Sequence, residues 1–177
     1  SLKTIKEFNL GFSPSKRDEL IVFLKLKGYQ DKHIEKAGLA FKNENKSLVD
    51  RFRNRVMFPI SNLSGKVVAF GGRSLNTSIG AKYINSAETK IFKKGSLLYN
   101  LKNAKKNIKN NPILIVEGYM DVISLYNNSI NNVIAPLGTA ITKEQLELIW
   151  SVCEEPILLF DGDLSLIHIS EPTRQKP

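Results

Sequence analysis

The sequence has few of the residues that form disulfides and zinc sites. Its 177 residues include a single cysteine, Cys153, and only two histidines, His33 and His168. One cysteine cannot close a disulfide within the chain, and this small set cannot supply a structural zinc site of cysteine and histidine ligands. Disulfide-stabilised and zinc-stabilised folds are therefore excluded for this stretch of sequence.

Long apolar stretches are missing as well. The longest apolar run is residues 20–24, and others such as 113–116 are shorter, whereas a helix that crosses a bilayer needs about 18 consecutive apolar residues. The first residues, Ser-Leu-Lys-Thr, do not show the charged and then apolar pattern of a secretory signal. We therefore expect a cytoplasmic protein that does not associate with membranes.

Acidic residues are outnumbered by basic ones. The chain has 26 Lys and Arg against 17 Asp and Glu, which gives a net charge of +9. Such a balance favours a polyanionic partner such as nucleic acid. Taken alone, however, such a balance more often reflects a lysine-rich surface that is simply solvated.

The first part of the chain mixes helix and strand patterns. Apolar spacing and stop signals predict helices at residues 18–26 and 31–37, and apolar runs around a turn at residues 61–65 predict a hairpin of strands 51–60 and 66–70. A connector rich in Lys and Asn follows at residues 101–111, and we interpret its charges as a solvated helix face. This part is expected to be a basic α+β subdomain over residues 1–111.

From Pro112 onward, short apolar strands alternate with helices. The pattern predicts strands at 113–116, 132–135 and 157–160, with helices at 119–126 and 142–152. Thr142 and Gln145 have the spacing of a capping box, which places the start of the second helix. A β-α-β-α-β order implies a parallel sheet with its ligand site at the carboxyl ends of the strands.

Four carboxylates follow these predicted strands. Glu117 comes directly after the first strand with Asp121 one helical turn later, and Asp161 and Asp163 follow the last strand. Carboxylates gathered at one edge repel each other unless a hard cation neutralises them, and oxygen ligands suit Mg²⁺ or Mn²⁺. Each group alone also fits a turn, a helix cap or an exposed loop residue, but their joint placement favours a metal site.

The order of the motifs resembles a known family. Residues 113–122, 136–139 and 158–163 resemble the Toprim domain in the form found in bacterial replicative primases of the DnaG type. Upstream, the chain resembles the basic amino-terminal subdomain of that family at residues 51–60, 68–73, 82–89 and 91–95. The resemblance implies an α/β fold in which a mixed α+β basic subdomain precedes a truncated Toprim domain, residues 112–163, with a Rossmann-like parallel sheet.

The same resemblance implies an activity and a set of site residues. It implies template-directed synthesis of short RNA primers on single-stranded DNA from ribonucleoside triphosphates, with Mg²⁺ or Mn²⁺ in the Toprim site. Glu117 is then the catalytic glutamate with Asp121 beside it, and the metal ligands are Glu117, Asp161 and Asp163. The positions expected to face template DNA or nucleotide phosphates are Arg55, Arg73, Lys82 and Lys94. From the resemblance we expect zinc and the replicative helicase to bind domains of the family that this sequence does not include.

The sequence departs from the family in two places. Position 87 is Ala where the family usually has Pro, which loosens the loop after Lys82. Residues 164–174 resemble the translation of a sequencing-library adaptor, so we expect 164–177 to be an assembly artefact. The second acidic pair that completes the family's site is then missing, and we expect the fragment to be inactive.

Two other functions remain open from the residues alone. A non-catalytic module could use the basic face to hold single-stranded DNA without a metal. A Toprim nuclease or topoisomerase would share the carboxylates, although a topoisomerase also needs a nucleophilic tyrosine in a separate domain. Tyr83 could stack on a base, but we expect it to be buried, as a Tyr in an apolar segment commonly is.

Overall fold

The computed structural model describes residues 1–76, 80–138 and 140–160. In chain order, its helices and strands are α1 (Leu2–Glu7), β1 (Gly11–Ser13), α2 (Glu19–Leu26), α3 (Asp31–Lys36), β2 (Ala40–Lys42), β3 (Leu48–Asp50), β4 (Arg55–Ser61), β5 (Val67–Ser74), β6 (Tyr83–Asn85), α4 (Leu101–Ala104), β7 (Leu114–Ile115), α5 (Tyr119–Asn127), β8 (Val133–Ile134), α6 (Lys143–Trp150) and β9 (Ile157–Leu158). Two 3-10 turns lie at Lys94–Ser96 and Lys105–Asn110. No helix within the described ranges is both long and apolar enough to span a bilayer.

The amino-terminal half is built on an antiparallel sheet with the strand order β1-β4-β5-β6. Its centre is the predicted hairpin, in which β4 pairs with β5 and Phe58 lies opposite Gly71. The first strand begins at Arg55 and not at residue 51, because Asn54 takes a positive φ of 51° that interrupts extended backbone. The hairpin is therefore confirmed, with a shorter first strand.

The two predicted amino-terminal helices form a small layer with a second hairpin, β2 and β3. Ile21, Ile34 and Ala40 make the core of this layer. The start of α2 is capped from outside the helix, because the Asp50 carboxylate accepts hydrogen bonds from the amides of Leu20 (2.8 Å) and Ile21 (3.1 Å). A residue of β3 thus fixes where α2 begins.

The carboxyl-terminal half is a three-stranded parallel sheet with the order β8-β7-β9. All five elements of the predicted β-α-β-α-β pattern are present, although each strand has only two residues. The capping box at α6 is confirmed: Thr142 Oγ1 accepts from the Gln145 amide at 3.1 Å, and Gln145 Oε1 accepts from the Thr142 amide at 3.1 Å.

The antiparallel and parallel sheets share one hydrophobic core. Phe58 from β4, Tyr119 from α5 and Val133 from β8 belong to the same buried cluster. The connector also takes part, because Leu101 and Ala104 are buried beside the parallel sheet while the lysines at 105 and 106 are exposed. The proposed domain boundary between residues 111 and 112 stays a prediction. Residues on both sides of it pack into the same hydrophobic core.

Candidate nucleic-acid and metal-binding cleft

An open cleft of about 800 Å³ lies where the antiparallel sheet meets the carboxyl ends of the parallel strands. One side is basic and the other is acidic. The cleft is lined by Arg51, Arg73, Lys82, Tyr83, Ile84, Asn85, Lys94, Glu117, Gly118, Tyr119, Met120, Asp121, Pro136, Leu137 and Gly138. Five of the eight residues that the sequence predicted for the site therefore lie around one opening: Arg73, Lys82, Lys94, Glu117 and Asp121.

The parallel sheet presents the two acidic residues of this cleft. Glu117 follows β7 by two positions and is exposed, as expected at the carboxyl end of a parallel strand. Asp121 lies in the first turn of α5, where Oδ2 accepts a hydrogen bond from the Gly118 amide at 3.0 Å. Asp121 therefore fixes the start of α5 and contributes negative charge to the cleft at the same time.

Asp161 and Asp163 lie outside the described residues. The strand that leads to them is in place, because β9 pairs with β7 in parallel and Leu158 lies opposite Ile115. Among residues 1–76, 80–138 and 140–160, no three His, Cys, Asp or Glu side chains come together as a metal site. Both aspartates stay predicted ligands.

The basic wall is carried by the antiparallel sheet. Arg73 on β5 pairs with Tyr83 on β6, and its guanidinium lies 5.8 Å from the centre of the Tyr83 ring. Lys82 precedes β6 and is exposed. The expectation that Tyr83 is buried was wrong, because its ring is 38% exposed and lines the cleft. The Arg73 guanidinium lies over this ring, and the centre of the Tyr119 ring is 6.3 Å away.

Lys94 reaches the cleft from a 3-10 turn that α6 holds in place. The Gln145 side-chain amide donates to the backbone carbonyls of Lys94 (3.0 Å) and Leu97 (2.8 Å). Thr142 Oγ1 donates to the carbonyl of Gly95 at 2.5 Å. The capping residues of α6 therefore also fix the backbone that carries Lys94.

Arg55 occupies a different position from the other predicted basic residues. Its buried guanidinium donates to the backbone carbonyls of Gly72 (3.3 Å), Ala81 (3.0 Å) and Lys82 (3.4 Å). Burial, together with the nearby charge of Arg53, lowers the pKa of Arg55. Arg55 thus ties the backbone before β6 to the hairpin, and its contact with nucleic acid stays a prediction.

Arg51 and Asn85 also line the cleft, and neither was predicted from the sequence. Arg51 Nε donates to the Asn85 carbonyl at 2.8 Å, and the Asn85 side chain bonds Tyr119 and Leu137. The signal for Arg51 was its place in the basic run 51–55. Asn85 carried no such signal, because its partners come from segments far away in the chain.

Comparison with known proteins agrees with this geometry. Residues 1–105 match the model of the DNA primase catalytic core, N-terminal domain, and residues 111–165 match that of the Toprim domain. The chain belongs to the DNA primase catalytic core family. The resemblance inferred from the motifs, and the α/β fold that it implied, are confirmed.

Three relatives show the extent of the similarity. The DNA primase of Clostridium acetobutylicum is 48% identical over 161 residues, which cover 91% of this chain and 27% of that protein. The E. coli primase catalytic core has a TM-score of 0.84 at 39% identity, covering 94% of this chain and 53% of that one. A DnaG primase catalytic domain bound to single-stranded DNA has a TM-score of 0.82 at 40% identity, covering 92% and 53%. The chain spans about a quarter of the length of its curated relatives.

Proposed function

We propose that this chain provides the template-binding wall and part of the catalytic site of a primase that makes short RNA primers on single-stranded DNA. The observation that carries the proposal is the placement of Arg73, Lys82 and Lys94 around the same cleft as Glu117 and Asp121. A bacterial primase works on the chromosome, so we expect the protein to act in the cytoplasm.

The basic wall has the chemistry needed to hold a nucleic-acid backbone. Lys82 and Arg73 offer charged donors to phosphate oxygens, and binding releases counterions from the strand. The partly exposed ring of Tyr83 lines the same cleft and offers a surface for stacking a base. Lys94 is suited to a nucleotide phosphate, because it approaches from the parallel-sheet side.

The acidic side suits a divalent cation. Its donors are carboxylate oxygens, and neither cysteine nor histidine lines the cleft among the described residues, which fits Mg²⁺ or Mn²⁺ better than zinc. We assign the ion to Glu117 with Asp161 and Asp163. When bound, such an ion neutralises triphosphate charge and lowers the pKa of the attacking hydroxyl. We assign zinc and the replicative helicase to other parts of a longer primase.

The alternatives explain less of this arrangement. A module that only held single-stranded DNA would gain nothing from Glu117 and Asp121 beside its cations, because carboxylates repel phosphates. A Toprim nuclease or topoisomerase would explain the carboxylates but not the match of residues 1–105 to the primase core. Primer synthesis accounts for both walls.

The test measures RNA synthesis by a chimeric primase, in which residues 1–163 of this chain replace the matching segment of the full-length clostridial enzyme. With Mg²⁺ and a single-stranded template, Glu117→Gln should lower nucleotide incorporation on the order of 10²-fold or more. Asp161→Asn and Asp163→Asn should act in the same direction. The control is Glu154→Gln, an exposed carboxylate that is not among the residues lining the cleft. Incorporation that Glu117→Gln leaves unchanged would contradict the proposal.

A further inference from the structure

Three separate segments meet at the side chain of Asn85. Its Oδ1 accepts a hydrogen bond from the Tyr119 hydroxyl at 2.6 Å, and its Nδ2 donates to the carbonyl of Leu137 at 2.8 Å. Tyr119 begins α5, two positions after Glu117, and Leu137 lies in the loop after β8. Asn85 ends β6, which carries Tyr83 and follows Lys82. The Asn85 amide thus connects the basic wall to the start of α5, close to Glu117, and to the loop after β8.

The surroundings leave these partners little freedom. Gly71 lies opposite Asn85 in the sheet, and a Cβ at Gly71 would come within 2.6 Å of the Tyr119 ring. That ring also stacks on Phe58, with centroids 5.0 Å apart and planes 13° apart. On the other side, a Cβ at Gly138 would lie 3.3 Å from Asn85 Nδ2. The two hydrogen bonds therefore sit in a packed environment that fixes their direction.

An asparagine side chain has the donor and the acceptor that this position uses. The Tyr119 hydroxyl donates to the amide oxygen, and the Leu137 carbonyl accepts from the amide nitrogen. Alanine would leave the hydroxyl of Tyr119 and the carbonyl of Leu137 without this partner, and aspartate would keep only the acceptor. Both polar ends of Asn85 are engaged within the protein, which leaves the amide poorly placed to recognise a ligand.

We propose that Asn85 is a positioning residue: its bonds to Tyr119 and Leu137 set the distance between the template-binding wall and Glu117. This inference rests on the proposed function. Reacting groups must be aligned closely for transfer, and a displacement of about 1 Å far from the chemistry can cost on the order of 10²-fold in rate. The proposed template contacts, Arg73 and Lys82, lie on the same wall as Asn85, so Asn85 should matter for turnover and not for DNA affinity.

The experiment separates these two effects in the chimeric primase. Asn85→Ala should lower kcat for nucleotide incorporation about tenfold or more. The affinity for single-stranded DNA should stay within about twofold of the unchanged chimera, and the slope of log affinity against log salt should stay the same. Tyr119→Phe removes one of the two bonds and should give a smaller loss in kcat. The matched control is Asn128→Ala, which removes an exposed bond to the Ser124 carbonyl and should change neither quantity.

Each other outcome contradicts the proposal. A loss of DNA affinity in Asn85→Ala at an unchanged salt slope would make Asn85 a direct DNA contact, because a neutral amide releases no counterions. An unchanged kcat, or a loss of kcat that only follows the fraction of unfolded protein, would remove the positioning role.

A second measurement on the chain itself does not depend on activity. Asn85→Ala should speed amide hydrogen exchange at residues 83–86 and 117–122 and leave α2 and α3 unchanged. If residues 117–122 exchange as before, the inference fails even if the chimera makes primers. If the unchanged chimera makes no RNA while exchange responds as expected, the proposed function fails and the structural link between the walls stands.

Discussion

At the scale of single residues, Arg51 and Arg55 show how one basic run is divided between two tasks. The Arg51 side chain lines the cleft and bonds the Asn85 carbonyl, whereas the Arg55 guanidinium is buried against three backbone carbonyls. A charge pattern cannot distinguish these two positions. The direction of each side chain depends on the strand register, which Asn54 interrupts.

Arg55 allows a test of this division. Arg55→Ala leaves the carbonyls of Gly72, Ala81 and Lys82 without their donor, so we expect a loss of about 2–4 kcal/mol in the free energy of unfolding. Urea denaturation measures it, with Arg73→Ala as the comparison, since Arg73 lines the open cleft and should cost under about 1 kcal/mol. A stable Arg55→Ala protein with a weakened salt dependence of DNA binding would instead assign Arg55 to the nucleic acid.

Asp50 gives a prediction about pH. Burial raises the pKa of this carboxyl above its ordinary 3.8, and the amides of Leu20 and Ile21 offset only part of that increase. Above about pH 4 the folded state then binds more protons at this site than the unfolded state, so this contribution to stability falls as pH rises. The free energy of unfolding of the unchanged chain, minus that of Asp50→Asn, should therefore increase as pH is lowered from 7 toward 4. Urea titrations at several pH values measure it, and a difference that grows toward neutral pH would show a depressed pKa.

At the scale of helices and strands, local signals predicted some elements and missed others. The capping pair Thr142 and Gln145 placed α6 correctly, because the bonds that begin this helix lie within four residues. The strands β1, β2, β3 and β6 were not predicted. Each has three residues, too few for an alternating pattern, and each is defined by pairing with a strand elsewhere in the chain.

The candidate site was predictable to a similar extent. Glu117 could be placed because it follows an apolar strand, and parallel strand ends gather at one edge. Lys94 and Asn85 owe their positions to Gln145, Tyr119 and Leu137, contacts that sequence spacing does not express. Tyr83 was misjudged because an apolar neighbourhood does not indicate which face of a three-residue strand is open.

The contact between strand β5 and helix α5 depends on a missing side chain. At Gly71 a Cβ would lie 2.6 Å from the Tyr119 ring, whereas at Gly11 in β1 it would meet Met57 at an ordinary 3.9 Å. We expect Gly71→Ala to destabilise the protein by about 1–3 kcal/mol, because the ring is also held by Phe58 and cannot withdraw freely. Gly11→Ala is the matched control and should be neutral or slightly stabilising. Equal thermal midpoints for the two variants would show that the Tyr119 ring can move away from β5 without a loss of stability.

At the scale of the whole molecule, the chain has a net charge of +9, and several of its basic residues lie around one cleft. The cleft gathers Arg51, Arg73, Lys82 and Lys94 on surfaces contributed by both sheets. Because the sheets share one core, the basic wall and the acidic edge are built on the same packed interior. This common interior is what places residues so far apart in sequence around one cleft.

The salt dependence of single-stranded DNA binding tests the central claim most directly. For the chain itself, fluorescence anisotropy gives the slope of log affinity against log salt. Arg73→Ala and Lys82→Ala should each reduce the magnitude of that slope by about 0.7, the value of one phosphate contact on a single strand. Lys3→Ala, an exposed charge on α1 that does not line the cleft, should leave it unchanged. If all three variants keep the slope of the unchanged chain, the cleft does not hold the DNA and the account is contradicted.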